Sequence, residues 1–304
     1  MKNPAKSLLA AAFLLSASFL SLGCGSDPKP SPIPENETTA PGAYAQVNGL
    51  KLYYELHGTG RPLILLHGAL STIDSMQPFI AELAKTRQVI AVELQAHGHT
   101  ADIDRPLRFE TMADDIAALL KHLNIESADV CGYSLGGGVA LQFAFRHPQA
   151  VRKLVLMSTT FKSNAWFPEN QAIMATMTGE ALAGSPMHEA YLRTAPRPED
   201  FPILVSKISH LLTQNPYDWT QDVAALKAPA LIIAGDSDSL PPTHSVEMFG
   251  LLGGGKSDGM MAGIPASRLA ILPGTTHWGA VTRVDLLVPL IPSFLDEQPA
   301  PTTP

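Results

Sequence analysis

Cysteine is almost absent from this chain: two in 304 residues, Cys24 and Cys131. Cys24 lies in an apolar N-terminal segment, so Cys131 has no obvious partner and no structural disulfide is expected. Placed at the end of an apolar run, Cys131 reads as a small buried hydrophobe. Positive charge is scarce too. Twenty-one Lys and Arg against 28 Asp and Glu leave a net charge of −7. That argues against a nucleic-acid surface and against a broad basic face for anionic lipid. There are no internal repeats, no metal-ligand cluster and no cofactor motif, so neither cofactor nor metal is expected. One pattern is a decoy. Gly250-Leu251-Leu252-Gly253-Gly254-Gly255-Lys256-Ser257 matches G-x4-G-K-S, but it follows a helical pattern over 243–252 instead of a strand. A phosphate-binding loop needs the strand.

What is present begins with a 45% hydrophobic composition, ample for a folded core. Residues 1–24 read as an export signal. Lys2 and Lys6 open it, and an apolar stretch over 7–22, too short to favour a spanning helix, follows. Residues 25–42 carry Pro28, Pro30, Pro32, Pro34 and Pro41 among polar residues and read as an extended tether. At about 3.1 Å per residue it reaches on the order of 55 Å. A globular domain is expected over 43–297, and a polar, Pro-rich tail over 298–304.

Inside that domain, strand and helix patterns alternate. Strands are predicted over 44–47 and 50–56, joined by Asn48-Gly49, a strong hairpin signal. Further strands fall at 62–66, 88–93, 128–133, 151–157, 230–235 and 268–272. Helices fall at 77–85, 109–123, 135–146, 243–252 and 281–295. Several strands are wholly apolar, as when both faces are covered. The fold class is therefore α/β, a mostly parallel sheet flanked by helices. Residues 160–222 interrupt the alternation and read as a helical insertion containing Trp166, Phe167, Met174, Met177 and Trp219.

The chemistry centres on Gly132-Tyr133-Ser134-Leu135-Gly136, which reads G-x-S-x-G between an apolar strand and a helical pattern. Strand, sharp turn and helix expose the Ser134 hydroxyl, and Gly132 and Gly136 relieve the crowding of the turn. A serine hydroxyl needs a base, and the base an orienting acid. Both are expected at the carboxyl ends of later strands. Asp238 in Asp236-Ser237-Asp238 is the acid and His277 in Pro273-Gly274-Thr275-Thr276-His277 the base. Asp236 is the runner-up acid and reads better as a turn-capping residue. Backbone N–H groups of Ala69 and Leu135 are candidates for an oxyanion hole. His67 and Gly68 shape the loop before it, and His122 and His147 read as structural.

These motifs, with His67-Gly68 and Gly136-Gly137, resemble the capped, single-domain kind of α/β-hydrolase-fold protein. Residues 93–100 resemble the family's D-x-R-G-x-G-x-S loop, with Glu93, Gln95 and Ala96 replacing Asp, Arg and Gly. The resemblance implies a carboxylesterase-like serine hydrolase (EC 3.1.1) acting through an acyl-enzyme on a small-molecule ester, thioester or lactone. A serine at the elbow argues against haloalkane dehalogenases and epoxide hydrolases, which use Asp. Perhydrolase and carbon–carbon bond hydrolase activity stay open, as does a non-enzymatic, ligand-binding envelope lipoprotein. Leu20-Ser21-Leu22-Gly23-Cys24 resembles the lipobox of bacterial lipoproteins, which implies lipidation at Cys24 and attachment to a membrane of the cell envelope. The sequence leaves the oligomeric state open.

Overall fold

Alternating apolar strands and amphipathic helices assemble into an eight-stranded sheet in the order β1-β2-β4-β3-β5-β6-β7-β8. The structure is a computed structural model that describes residues 42–298. The signal over 1–24 with Cys24, the tether over 25–41 and the tail over 299–304 lie outside the described residues. β1 (Ala43–Val47) and β2 (Leu50–His57) form an antiparallel hairpin. At its tip Asn48 and Gly49 both take positive φ, 47° and 83°, as a two-residue turn of this hand requires. β2 runs antiparallel to β4 (Arg87–Glu93). The remaining pairs are parallel, through β3 (Arg61–Leu66), β5 (Ala128–Tyr133), β6 (Val151–Met157), β7 (Ala230–Ser237) and β8 (Arg268–Thr276).

Helices cover both faces, which is why the central strands are apolar at consecutive positions. Leu63, Leu65, Val89, Cys131, Val155 and Ile233 pack on one face with α1 (Gln77–Leu83) and the C-terminal helix Val284–Asp296. Their neighbours Ile64, Leu66, Ile90, Val130 and Leu154 are equally buried and point to the other face. There lie α2 (Phe109–His122) and α3 (Leu135–Arg146). Fully burying each such side chain stabilises by roughly 1.5–3 kcal/mol.

Between β6 and β7 the chain forms α4 (Pro168–Thr176), α5 (Pro186–Thr194), α6 (Phe201–Thr213) and α7 (Thr220–Ala225). The helical stretch thus runs past residue 222 to Ala225. α6 is its hydrophobic centre, burying Phe201, Leu204, Val205, Ile208 and Leu211, whereas α4 buries none of its residues. α6 is fastened to the loop after β4 through Lys207. Its ammonium reaches Asp102 Oδ2 at 2.6 Å and the carbonyls of Ile103 and Arg105 at 3.0 and 2.8 Å.

Several boundaries differ from the sequence reading, and three of them have a tertiary reason. β7 runs two residues beyond 235 and β8 four beyond 272, taking in Pro273 and Gly274. β8 is an edge strand, so the missing N–H of Pro273 breaks no essential ladder, and a register shift between Gly235 and Ser237 lets pairing resume at Ser237 and Thr276. After α8 (Pro242–Leu251) and the short α9 (Gly259–Ala262), the last helix does not start at 281. A 3₁₀ turn over Ala280–Thr282 precedes α10 (Val284–Asp296). α10 persists despite Pro289 and Pro292 because Leu287, Ile291, Phe294 and Leu295 are buried. Its last carbonyls are also capped. Arg152 donates to Leu295 O at 2.8 Å, and Lys153 donates to Phe294 O at 2.6 Å. No described helix is long and apolar enough to cross a membrane.

Candidate active site

The parallel register brings the carboxyl ends of β5, β6 and β7 to one level: Tyr133 pairs with Met157, and Met157 with Ile233. Ser134 follows β5 directly and takes φ 52°, ψ −114°, a sharp turn that sends the chain at once into α3. Two glycines make the turn possible. A Cβ on Gly132 would lie 2.3 Å from Gly136 O, and one on Gly136 would lie 2.4 Å from Leu66 O. Both obstacles are backbone atoms that cannot rotate away. Gly132→Ala is therefore expected to destabilise the fold by about 1–3 kcal/mol or more, which denaturant titration would measure. An unchanged midpoint would show that the turn can open.

Ser134, Asp238 and His277, far apart in sequence, meet at this edge. The Ser134 hydroxyl is 3.0 Å from His277 Nε2, and His277 Nδ1 is 2.7 Å from Asp238 Oδ1. A carboxylate accepts only, so Nδ1–H donates to Asp238 and Nε2 is left to accept from Ser134. Asp238 is buried. Burial pushes its pKa up, but the hydrogen bond and charge of His277, with donors from Ser158 and Gly235, outweigh it and hold the carboxyl below its usual range. The base is fixed from further sides: Tyr133 Oη donates to the backbone carbonyl of His277 at 2.8 Å, and the Trp166 ring stands edge-on to the imidazole at 5.3 Å. Asp236 makes no hydrogen bond to the imidazole. It accepts from the backbone N–H of Gly274 at 2.9 Å and of Thr275 at 3.1 Å, shaping the end of β8 ahead of His277.

Ala69 follows β3, the strand beside β5. Leu135 opens α3, so its N–H has no intrahelical acceptor. Among the described residues, neither the Ala69 nor the Leu135 N–H has a hydrogen-bond partner within the chain. The Ala69 turn is pinned by two buried imidazoles. His67 Nε2 accepts from Leu94 N–H at 3.1 Å, and its Nδ1–H donates to Gly68 O at 2.7 Å. His97 Nε2 accepts from Leu70 N–H at 3.3 Å, and its Nδ1–H donates to Gln95 O at 2.9 Å. Desolvation lowers their pKa values to about 3 and about 4, so both are neutral at pH 7. Glu93 and Ala96 belong to the same framework. The buried Glu93 carboxylate accepts from the backbone and ring N–H groups of His99 at 2.5 and 3.0 Å. Ala96 holds φ 67°, a conformation suited to the Gly it replaces.

Three contacts of this site have little signal in sequence: Ser158 and Tyr133, which bind Asp238 and His277, and Trp166, whose insertion could pack in many ways. A hydroxyl at the end of the neighbouring strand is the only sequence hint of Ser158. Among the described residues, no group of three or more His, Cys, Asp or Glu side chains is placed to hold a metal ion.

The mostly parallel sheet, the strand–turn–helix elbow and the order serine, acid, histidine define an α/β-hydrolase architecture. Residues 61–183 match the family model described as alpha/beta hydrolase fold, and the chain has that fold. It is 24% identical over 276 residues to RutD of Azorhizobium caulinodans, provisionally a carbamate hydrolase, across 84% of this chain and 98% of that protein. It is 36% identical over 115 residues to the 2-hydroxymuconate semialdehyde hydrolase of Pseudomonas sp. strain CF600, across 36% of this chain and 41% of that one. The crystal structure of the enol-lactonase from Burkholderia xenovorans LB400 superposes with a TM-score of 0.64 at 22% identity, covering 84% of this chain and all of that one (100%).

Proposed function

We propose that the chain is a serine hydrolase that cleaves carboxylic esters, thioesters or lactones of small apolar substrates through an acyl-enzyme on Ser134. The observation that carries this reading is the continuous relay from the Ser134 hydroxyl through His277 to Asp238, at 3.0 and 2.7 Å. His277 Nε2 takes the Ser134 proton as Oγ attacks the substrate carbonyl carbon. The carbonyl π electrons move to oxygen, where the N–H groups of Ala69 and Leu135 receive the negative charge. One such donor is worth about 3 kcal/mol of barrier. The tetrahedral adduct collapses, the bond to the leaving alkoxide or thiolate breaks, and His277 returns the proton to it. Water then repeats the sequence on the acyl-enzyme, freeing the acid and Ser134. Asp238 stays ionised throughout and offsets the charge of the imidazolium.

Apolar substrates are supported by the Trp166 ring, which stands edge-on to His277 at 5.3 Å. Carbon–carbon bond hydrolysis with the same triad is the second reading, favoured by the 36% identity with the semialdehyde hydrolase over 115 residues. The lipobox-like residues ending at Cys24 support an envelope lipoprotein, exported and held to a membrane by acyl chains. Perhydrolase chemistry and a purely ligand-binding role lack an observation of their own.

The test is intact-mass analysis of the full-length protein after treatment with a fluorophosphonate, wild type beside Ser134→Ala. One adduct on wild type and none on the variant is expected, together with ester turnover blocked in proportion to the adduct. No adduct on wild type would favour the binding-protein reading.

A further inference from the structure

The Asp238 carboxylate has two oxygens, and the relay uses one. Oδ1 accepts from His277. Oδ2 accepts from the Ser158 hydroxyl at 2.5 Å and from Gly235 N–H at 3.3 Å. Ser158 is the first residue after β6 and is buried at 1% exposure, and its backbone N–H donates to Ile233 O at 2.8 Å. It also holds φ 50°, where any side chain is strained and glycine is not. Among the described residues, six non-glycine residues take positive φ. Two are Asn48 and Asn124, and asparagine tolerates that region. The other four, Leu70, Ala96, Ser134 and Ser158, all lie just beyond the carboxyl ends of the parallel strands β3, β4, β5 and β6. Strain of this kind persists where the surroundings over-determine it. At Ser158 the side chain brings almost no apolar surface. Its hydroxyl bond to Asp238 is what a glycine would lose.

We propose that Ser158 is a positioning residue of the catalytic relay, which rests on the serine-hydrolase reading above. Its hydroxyl locks the Asp238 carboxyl rotor so that Oδ1 faces His277, and it supplies the closer of two donors to the far oxygen. Asp238 then meets the forming imidazolium as a fixed, fully ionised carboxylate instead of a rotating one. The hydroxyl can only donate to a carboxylate, so Ser158 exchanges no proton with the substrate.

The test compares Ser158→Ala and Ser158→Gly with wild type in the full-length protein. Both variants lose the hydroxyl, and only the glycine relieves the backbone strain. The readouts are the thermal midpoint, the second-order rate of fluorophosphonate adduct formation by intact mass, and the pH dependence of that rate. Both variants should label about 10- to 100-fold more slowly, the scale of a lost hydrogen bond to a charged group. The two losses should be equal although the glycine variant melts at the higher temperature. The acid limb of the rate should move to higher pH in both, because a carboxylate that loses a donor keeps more of its charge for the imidazolium it faces and so favours the protonated base. A glycine variant that labels at the wild-type rate, labelling losses that track the melting temperatures, or an unmoved acid limb would each overturn the assignment. A wild type that takes no adduct overturns the hydrolase reading and this proposal together. An active wild type with an equally active glycine variant overturns this proposal alone.

Discussion

Ser134→Ala is expected to lower ester turnover by about 10⁶-fold in a protein that still melts at the wild-type temperature. The rate loss follows from removing the nucleophile while its base, acid and oxyanion donors remain. Groups that act as one relay lose almost everything when the attacking atom goes. The stability is kept because the turn is a backbone structure. Ser134 N–H donates to Met157 O at 2.9 Å, and Ser134 O accepts from Gly137 N–H at 3.0 Å. Alanine keeps both bonds and the same Cβ at φ 52°. Asp238→Asn should cost about 10⁴-fold, since an amide can hold the wrong imidazole tautomer and cannot balance the imidazolium. Asp236→Asn should stay within a few-fold of wild type, because Asp236 binds two N–H groups at the end of β8 and not the imidazole. Steady-state kinetics on one chromogenic ester, with melting curves for all three variants, would check the series. Equal losses at Asp236 and Asp238 would refute the assignment of the acid.

Acid should unfold this protein well above the pH at which carboxylates titrate. Three buried histidines are held neutral, mainly by desolvation: His67 at about 3, His97 at about 4 and His244 at about 4, against an ordinary value of 6.5. His244 accepts from Phe161 N–H at 3.2 Å and stacks on the Phe161 ring at 4.3 Å, tying the start of the insertion to α8. Each group binds a proton more readily in the unfolded chain than in the folded one. The unfolded state therefore gains protons as pH falls below about 6.5, and stability drops until the folded values are reached. Each histidine contributes up to about 1.4 kcal/mol per pH unit. Together they amount to roughly 4–7 kcal/mol by pH 4.5, a large share of the 5–15 kcal/mol typical of a domain. His99 works the other way. Its hydrogen bond to Glu93 raises its pKa, so its contribution is complete below 6.5 and is lost as pH rises. One such group does not offset three. Urea midpoints measured from pH 7 to 4.5 would test this. A flat profile over that window would mean that the histidines protonate without unfolding, and His244→Gln should reduce the slope by about a third.

The amino-acid sequence by itself determined the elements whose signals are local. Strands β5 and β6 and helix α3 have the bounds their patterns predict, because each is an uninterrupted apolar run or a helical repeat with clear punctuation. The α/β class follows from their alternation, and the serine turn from glycines whose absent Cβ atoms leave room for backbone. Chain order also narrowed the acid and the base to the ends of later strands.

Tertiary structure decided what depends on distant partners. β8 continues through Pro273-Gly274 because it lies at the sheet edge, a position no local pattern encodes. α10 carries two prolines because its buried face and the donors Arg152 and Lys153 hold it. The buried Arg87 reaches Asp129 at 3.5 Å and Asp296 at 2.6 Å, across 42 and 209 residues of sequence. Which carboxylate turns toward His277 rests on Ser158, Gly235 and the end of β8 at Gly274, brought together by three different strands. Local sequence fixes φ, ψ and side-chain period, whereas the facing of one polar group toward another is set only when the sheet register closes.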